Sequence, residues 1–237
     1  MKYKKISSLA LIPLLTASSF AISQEGTDTK IEEVLVTGSY LKSSAKDGAS
    51  PIVIVNRDNI DQMGAMSISD ITRNMTANSG AENVPDSFTS GSTQGTSNVN
   101  LRGLGLGSTL VLVNGRRNTL AAAVANDGSS FVDTSMIPAI AIERVEVLKE
   151  GAAAVYGSDA IAGVVNYITR SDFEGTEIRI VQQSTTSDSQ TDTQFSFLHG
   201  WADESTNVVV AAQYMDRSNL SGADRPTLIE NANSGLG

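Results

Sequence analysis

The chain has 237 residues, no cysteine, 5% aromatic content and a formal net charge of -9. An acidic protein of this kind is a poor nucleic-acid binder, and the absence of cysteine excludes a disulfide scaffold, thiolate metal sites and thiol catalysis. The length accommodates one loop-rich β or α+β domain plus a smaller piece.

Lys2, Lys4 and Lys5 precede an apolar run over residues 6–20, followed by Ala21-Ile22-Ser23. Small residues at the first and third of those last positions suit signal peptidase, so residues 1–23 are predicted to be an export signal cut after Ser23. As a membrane anchor the run is too short, and Ser7, Ser8, Pro13 and Thr16 interrupt it, whereas a spanning helix needs about 20 apolar residues. Its removal takes away three lysines and no acid, which moves the charge from -9 to -12. No later apolar run approaches spanning length, so any membrane role falls to β-strands.

Residues 24–46 read as a flexible tail, polar except for the island Ile31, Glu32, Glu33, Val34, Leu35, Val36 and Thr37. An apolar alternation with no core to enter is either an orphan strand or a docking peptide that adds to a partner's sheet through main-chain hydrogen bonds. From residue 47 the pattern becomes globular. Residues 52–55 read as a buried strand. Asn56 or Asp58 can cap a short helix through Met63, and Ser67 with Asp70 resembles a capping box ahead of Ile68, Ile71 and Met75.

Residues 83–97 lack apolar periodicity and read as a long loop, either functional or a plain connection. The next segment alternates, with Val99 and Leu101 on one face and Asn100 and Arg102 on the other, and Gly103, Gly105 and Gly107 end the predicted strand. Those glycines do not make a phosphate loop: Ser108 stands where a dinucleotide fingerprint has its last glycine, and no Gly-Lys-Ser/Thr follows. Residues 110–113 are apolar on both faces, as in a strand covered above and below. Asn114-Gly115 is a strong signal for a type I′ hairpin. Residues 143–149 and 162–169 then read as two strands joined by a small-residue segment.

In combination, NVNLRGLG (residues 98–105), TLVLVNGRR (109–117) and IERVEVLKEGAAAVYGSDAIAGVVNYITR (142–170) resemble the plug domain of TonB-dependent outer-membrane receptors. Glu150-Gly151 replaces a Gly-Pro pair common in that family. The resemblance implies that residues 31–37 are the TonB box, recognised by TonB with its inner-membrane energising complex. It implies that Arg102 and Arg144 pair with glutamates on a barrel wall. It also makes Asp86, Ser87, Phe88, Thr89, Ser90, Gln94 and Thr96 a candidate substrate-facing loop.

Past residue 170 the texture changes to alternating strands. Ile178 and Ile180 share a face. Phe195, Phe197, His199 and Trp201 share another, opposite Gln194, Ser196, Leu198 and Gly200. Val208, Val210, Ala212 and Tyr214 repeat the pattern. Apolar faces toward lipid, polar faces inward and interfacial aromatics describe transmembrane barrel strands; a soluble β-domain is the other reading. The connection over 183–192 is long and that over 202–205 short, as between the outer and periplasmic ends of a barrel.

The fold class expected is therefore α+β: a plug over residues 47–170 with a mixed sheet and short helices, then the first antiparallel strands of an incomplete outer-membrane β-barrel over 171–237. The implied function is energy-coupled import of a bulky nutrient, a siderophore, cobalamin, an oligosaccharide or similar, with the plug and TonB box facing the periplasm. The alternative is a barrel-less periplasmic module that keeps a plug-like binding role. Enzyme chemistry is not expected, because His199 is the sole histidine and neither GxSxG nor HExxH occurs. No cofactor, metal or nucleic acid is implied; the expected partners are TonB, an extracellular solute and outer-membrane lipid.

Overall fold

The computed structural model describes residues 52–82, 93, 95–150, 152–185, 190–203, 205–220 and 224. Its first sheet is mixed and five-stranded, built from β1 (Ile52–Asn56), β2 (Thr109–Val113), β3 (Arg116–Arg117), β4 (Ile142–Leu148) and β5 (Gly163–Thr169) in the order β1-β4-β5-β2-β3. The pairing of β2 with β5 is parallel and the other pairings are antiparallel.

Period-two alternation sends successive aliphatic side chains of this sheet to opposite faces. Val111, Val145, Val147, Val165 and Tyr167 face one core. That core is completed by Ile60 of α1 (Arg57–Gln62) and by Ile68 and Ile71 of α2 (Ile68–Arg73). Leu110, Leu112, Leu148 and Val164 face the other, covered by Ala152, Ala160 and Tyr156, the last from α3 (Ala153–Tyr156). Burial on both faces is why residues 110–113 read as a continuous apolar run.

The local signals place the short elements. Ser67 caps α2: its Oγ accepts from the Asp70 N–H at 3.3 Å while the Asp70 carboxylate accepts from the Ser67 N–H at 3.0 Å. Asn56 is the residue preceding α1, and its N–H donates to Asn59 Oδ1 at 3.3 Å. Asn114 and Gly115 both take positive φ, 50° and 73°, as a type I′ turn between β2 and β3 requires.

Residues 98–102 depart from the predicted strand. Val99 and Leu101 are buried as expected, but Asn100 is buried too, and Arg102 has φ 57°, outside the extended region. Asparagine side chains take over the backbone hydrogen bonds that a ladder would supply. Asn78 Oδ1 accepts from Asn100 N, Asn100 Nδ2 donates to Gly80 O, and Asn100 Oδ1 accepts from Gly105 N, at 3.0–3.1 Å. What remains is an isolated bridge between Asn78 and Leu101.

A second sheet follows, an antiparallel meander of β6 (Gly175–Ser184), β7 (Thr191–Ala202) and β8 (Asn207–Arg217). The β7–β8 turn is closed by Asp203, whose Oδ1 accepts from the N–H groups of Ser205 and Thr206 at 2.9 and 2.8 Å. Those two backbone donors hold its carboxyl below the usual carboxylate range.

Candidate functional site

The second sheet has two chemically distinct faces, fixed by its register. Ile178 lies opposite Phe197, Ile180 opposite Phe195, Phe195 opposite Tyr214 and Trp201 opposite Val208. All of these side chains therefore project to one side, where Ile180 is 70% exposed, Tyr214 67% and Trp201 54%. On the opposite side Gln194, Ser196 and Leu198 are at most 3% exposed. A sheet that shows its aliphatic and aromatic residues outward and buries glutamine and serine inverts the arrangement of a water-soluble sheet.

The buried polar face of this wall packs on the first domain. Gln213 Oε1 accepts from the Ala139 N–H at 3.0 Å, and Arg179 Nη1 donates to Asp61 Oδ1 at 2.8 Å. Asp61 also takes Arg57 Nε at 3.0 Å. Hydrogen bonding from Arg57, reinforced by the charges of Arg57 and Arg179, holds Asp61 below the usual carboxylate range despite partial burial. At the junction of the two sheets Arg170 pairs with Glu177 at 2.6 Å and lies over the Phe173 ring, 4.3 Å from its centroid. Sequence reasoning passed over Asp61, Arg179 and Gln213. For Arg179 and Gln213 the available signal was alternation onto the inward face of β6 and β8, which reads as ordinary polar patterning until the first domain is docked; Asp61, in α1, carried no such signal.

Arg144 sits within the first domain's own polar network. Its Nε donates to Glu146 at 3.0 Å and its Nη1 to Glu143 at 3.1 Å. Glu146 is 1% exposed and also accepts from Asn166 Nδ2 at 3.3 Å, while Asn166 Oδ1 accepts from the Gly115 N–H at 2.9 Å. The network thus ties a buried carboxylate to the β2–β3 turn. Arg102, exposed, donates through Nη2 to the carbonyls of Ala162 and Ile161 at 3.0 and 3.3 Å. The two arginines are separately held, one by carboxylates and one by main chain.

Thr96 lines a groove with Asn118, Leu120, Asp133 and Met136. Asp133 Oδ1 there accepts from the Ser97 and Ser135 N–H groups, both at 2.9 Å. The remaining candidates for the substrate-facing loop, Asp86, Ser87, Phe88, Thr89, Ser90 and Gln94, lie outside the described residues, as do Ile31 through Thr37 and the export signal. Among the described residues no group of three or more His, Asp or Glu side chains is placed to hold a metal ion, and no helix is long and apolar enough to cross a membrane. His199 Nδ1 lies 2.9 Å from Thr176 Oγ1, its register partner on β6, and the ring stacks on Phe197 with centroids 6.5 Å apart. This is a cross-strand pair on the outward face.

A family model for the TonB-dependent receptor plug domain matches residues 44–164. The chain belongs to that family. Membership places it at the outer membrane, with the plug facing the periplasm. Solved structures share the fold over about three quarters of the chain. The ferric citrate transporter FecA in its unliganded form matches at TM-score 0.58 and 18% identity, covering 74% of this chain and 27% of that one. A variant of the ferric enterobactin receptor PfeA from Pseudomonas aeruginosa matches at TM-score 0.53 and 23% identity, covering 74% and 26%. The siderophore receptor PirA from Acinetobacter baumannii matches at TM-score 0.50 and 24% identity, covering 72% and 25%. At these identities the likeness establishes the fold. The chain spans about a quarter of the length of each of these proteins.

Proposed function

We propose that this chain contributes the plug and the first wall strands of a receptor that imports a bulky solute across the outer membrane, driven by TonB and its inner-membrane complex. The observation that carries the reading is the two-faced sheet that directly follows the plug. Its apolar side is exposed and its polar side is packed on the plug, an arrangement that suits a lipid-facing wall. A barrel-less periplasmic module would leave that apolar side in water.

The segment Ile31 to Thr37 is the TonB box on this reading, pairing as an added strand with TonB so that alternate side chains set register. Residues 24–46 form its tether. A tail of about 20 extended residues spans at most about 70 Å. The loop with Asp86, Ser87, Phe88, Thr89, Ser90, Gln94 and Thr96 faces the substrate. Arg102 and Arg144 meet carboxylates of the wall, Arg144 in addition to its partners within the plug. The substrate class is a siderophore-type iron chelate, in line with the receptors of like fold, or cobalamin or an oligosaccharide. The transport role involves no catalytic residue.

The test begins with a strain lacking the receptor, grown across candidate nutrients to identify the one it fails to take up. Val34→Pro removes a ladder donor from the TonB box. It should abolish energised uptake of that nutrient while leaving its binding to whole cells intact. Uptake at the wild-type rate would reject the assignment of the box.

A further inference from the structure

We propose that Asp61 is a positioning residue that clasps the plug to its wall, gripped by Arg179, while Gln213 from the same transverse row of the β6–β8 sheet holds the main chain of Ala139 beside it. This inference rests on the transport reading only for its consequence, since the clasp itself is read from contacts.

The row is defined by register. Arg179 of β6 lies opposite Ser196 of β7, and Ser196 lies opposite Gln213 of β8. All three occupy the inward face, with Ser196 1% exposed. The two ends of the row hold neighbouring parts of the plug: Arg179 donates to Asp61 at 2.8 Å, and Gln213 accepts from the Ala139 N–H at 3.0 Å. Within the plug Arg57 closes the circuit. It binds Asp61 four residues on and donates through Nη1 to the carbonyls of Ala139 at 2.9 Å and Ile142 at 3.0 Å. A continuous path of polar contacts therefore runs from Arg179 through Asp61, Arg57 and Ala139 to Gln213.

The acid is on the plug and the base on the wall, the reverse of the arginine contacts expected for Arg102 and Arg144. Position gives the clasp its role. β1 is an edge strand, paired with β4, and α1 follows it directly. Force arriving along the N-terminal tail loads β1 and α1 before the rest of the plug. The Asp61–Arg179 pair, in the last turn of α1, is where that leading unit meets the wall. Movement of the unit away from the wall requires this pair to open.

Hydrogen exchange on the purified full-length receptor in detergent tests the clasp. Arg179→Gln and Asp61→Asn should each speed amide exchange across α1 by about three- to fivefold, the scale of a half-exposed ion pair. The double variant should exchange no faster than Asp61→Asn alone, because the two share one interaction. Arg179→Lys, which keeps the charge, should restore most of the protection, and Arg217→Gln, which breaks an exposed pair within the wall, should leave α1 unchanged. In cells, Arg179→Gln should raise passive entry of a large antibiotic. Unchanged α1 exchange in Arg179→Gln, or effects that multiply in the double variant, would overturn the clasp whatever the uptake assay gives. Wild-type uptake by Val34→Pro would remove the TonB-box assignment and leave the exchange result standing.

Discussion

Glu146 is a carboxylate buried to 1% exposure on β4, and Arg144 supplies its cation at 3.0 Å. Removing one partner of such a pair leaves a charge in a poorly solvated site, which costs far more than loss of a surface ion pair. Arg144→Ala should therefore lower the stability of the plug by about 3 kcal/mol, read as a shifted denaturation midpoint. A midpoint within error of wild type would show that Glu146 does not depend on Arg144. Tyr167 is fully buried, its hydroxyl 3.3 Å from Thr72 Oγ1, and burial pushes its pKa up to about 12. The raised value means the folded state holds the phenolic proton more tightly than the unfolded chain. That contribution is fully present below pH 10 and is lost as pH rises from about 10 to about 12. The wild-type protein should thus lose about 2–3 kcal/mol over that window that Tyr167→Phe does not lose. Parallel alkaline stability curves for the two would sink the argument.

At the scale of elements, the sheet depends on how closely β5 enters between its neighbours. Gly163 opens β5 with φ 137°, and a Cβ placed there would lie 2.3 Å from the Leu148 carbonyl oxygen and 2.8 Å from Leu101 Cδ1. An L side chain is excluded both by conformation and by space. Gly163→Ala should displace β5 from β4 and destabilise the plug by more than about 3 kcal/mol, seen as rapid proteolysis of residues 47–170 under conditions that leave the wild type intact. Wild-type protease resistance would mean that Leu148 and Leu101 yield easily. The element that escaped sequence reading, residues 98–102, shows the opposite balance. Its alternation suggested a strand, yet Asn78 and Asn100 satisfy the backbone locally, and periodicity carries no record of which side chain will take an N–H.

For the whole molecule, the outward side chains of β6, β7 and β8 set the solvent. Ile178, Phe195, Val208 and Val210 are each between 44% and 60% exposed, and in the described residues the sheet has open edges at β6 and β8. Apolar faces with unpaired edges template association in water. A polypeptide of residues 24–170 should therefore remain monomeric in detergent-free buffer, whereas one of residues 24–237 should aggregate, with sedimentation velocity as the measurement. A monomeric longer polypeptide would show that these strands belong to a soluble domain.

What the sequence determined by itself is whatever rests on near neighbours. The Ser67–Asp70 cap, the Asn114-Gly115 turn, the doubly buried run at 110–113 and the alternation of β6 to β8 all depend on spacings of one to four residues. Each stands where its local chemistry put it, with strand ends displaced by a residue. Even the family resemblance was carried by such short segments. The tertiary structure decided the pairings over long sequence separations: β2 beside β5 in parallel, Arg102 onto the carbonyls of Ile161 and Ala162, and Asp61 onto Arg179 across 118 residues. An arginine can satisfy its donors with any carboxylate or carbonyl brought within reach. Sequence states the demand, and the tertiary packing, within the plug and against its wall, selects the partner.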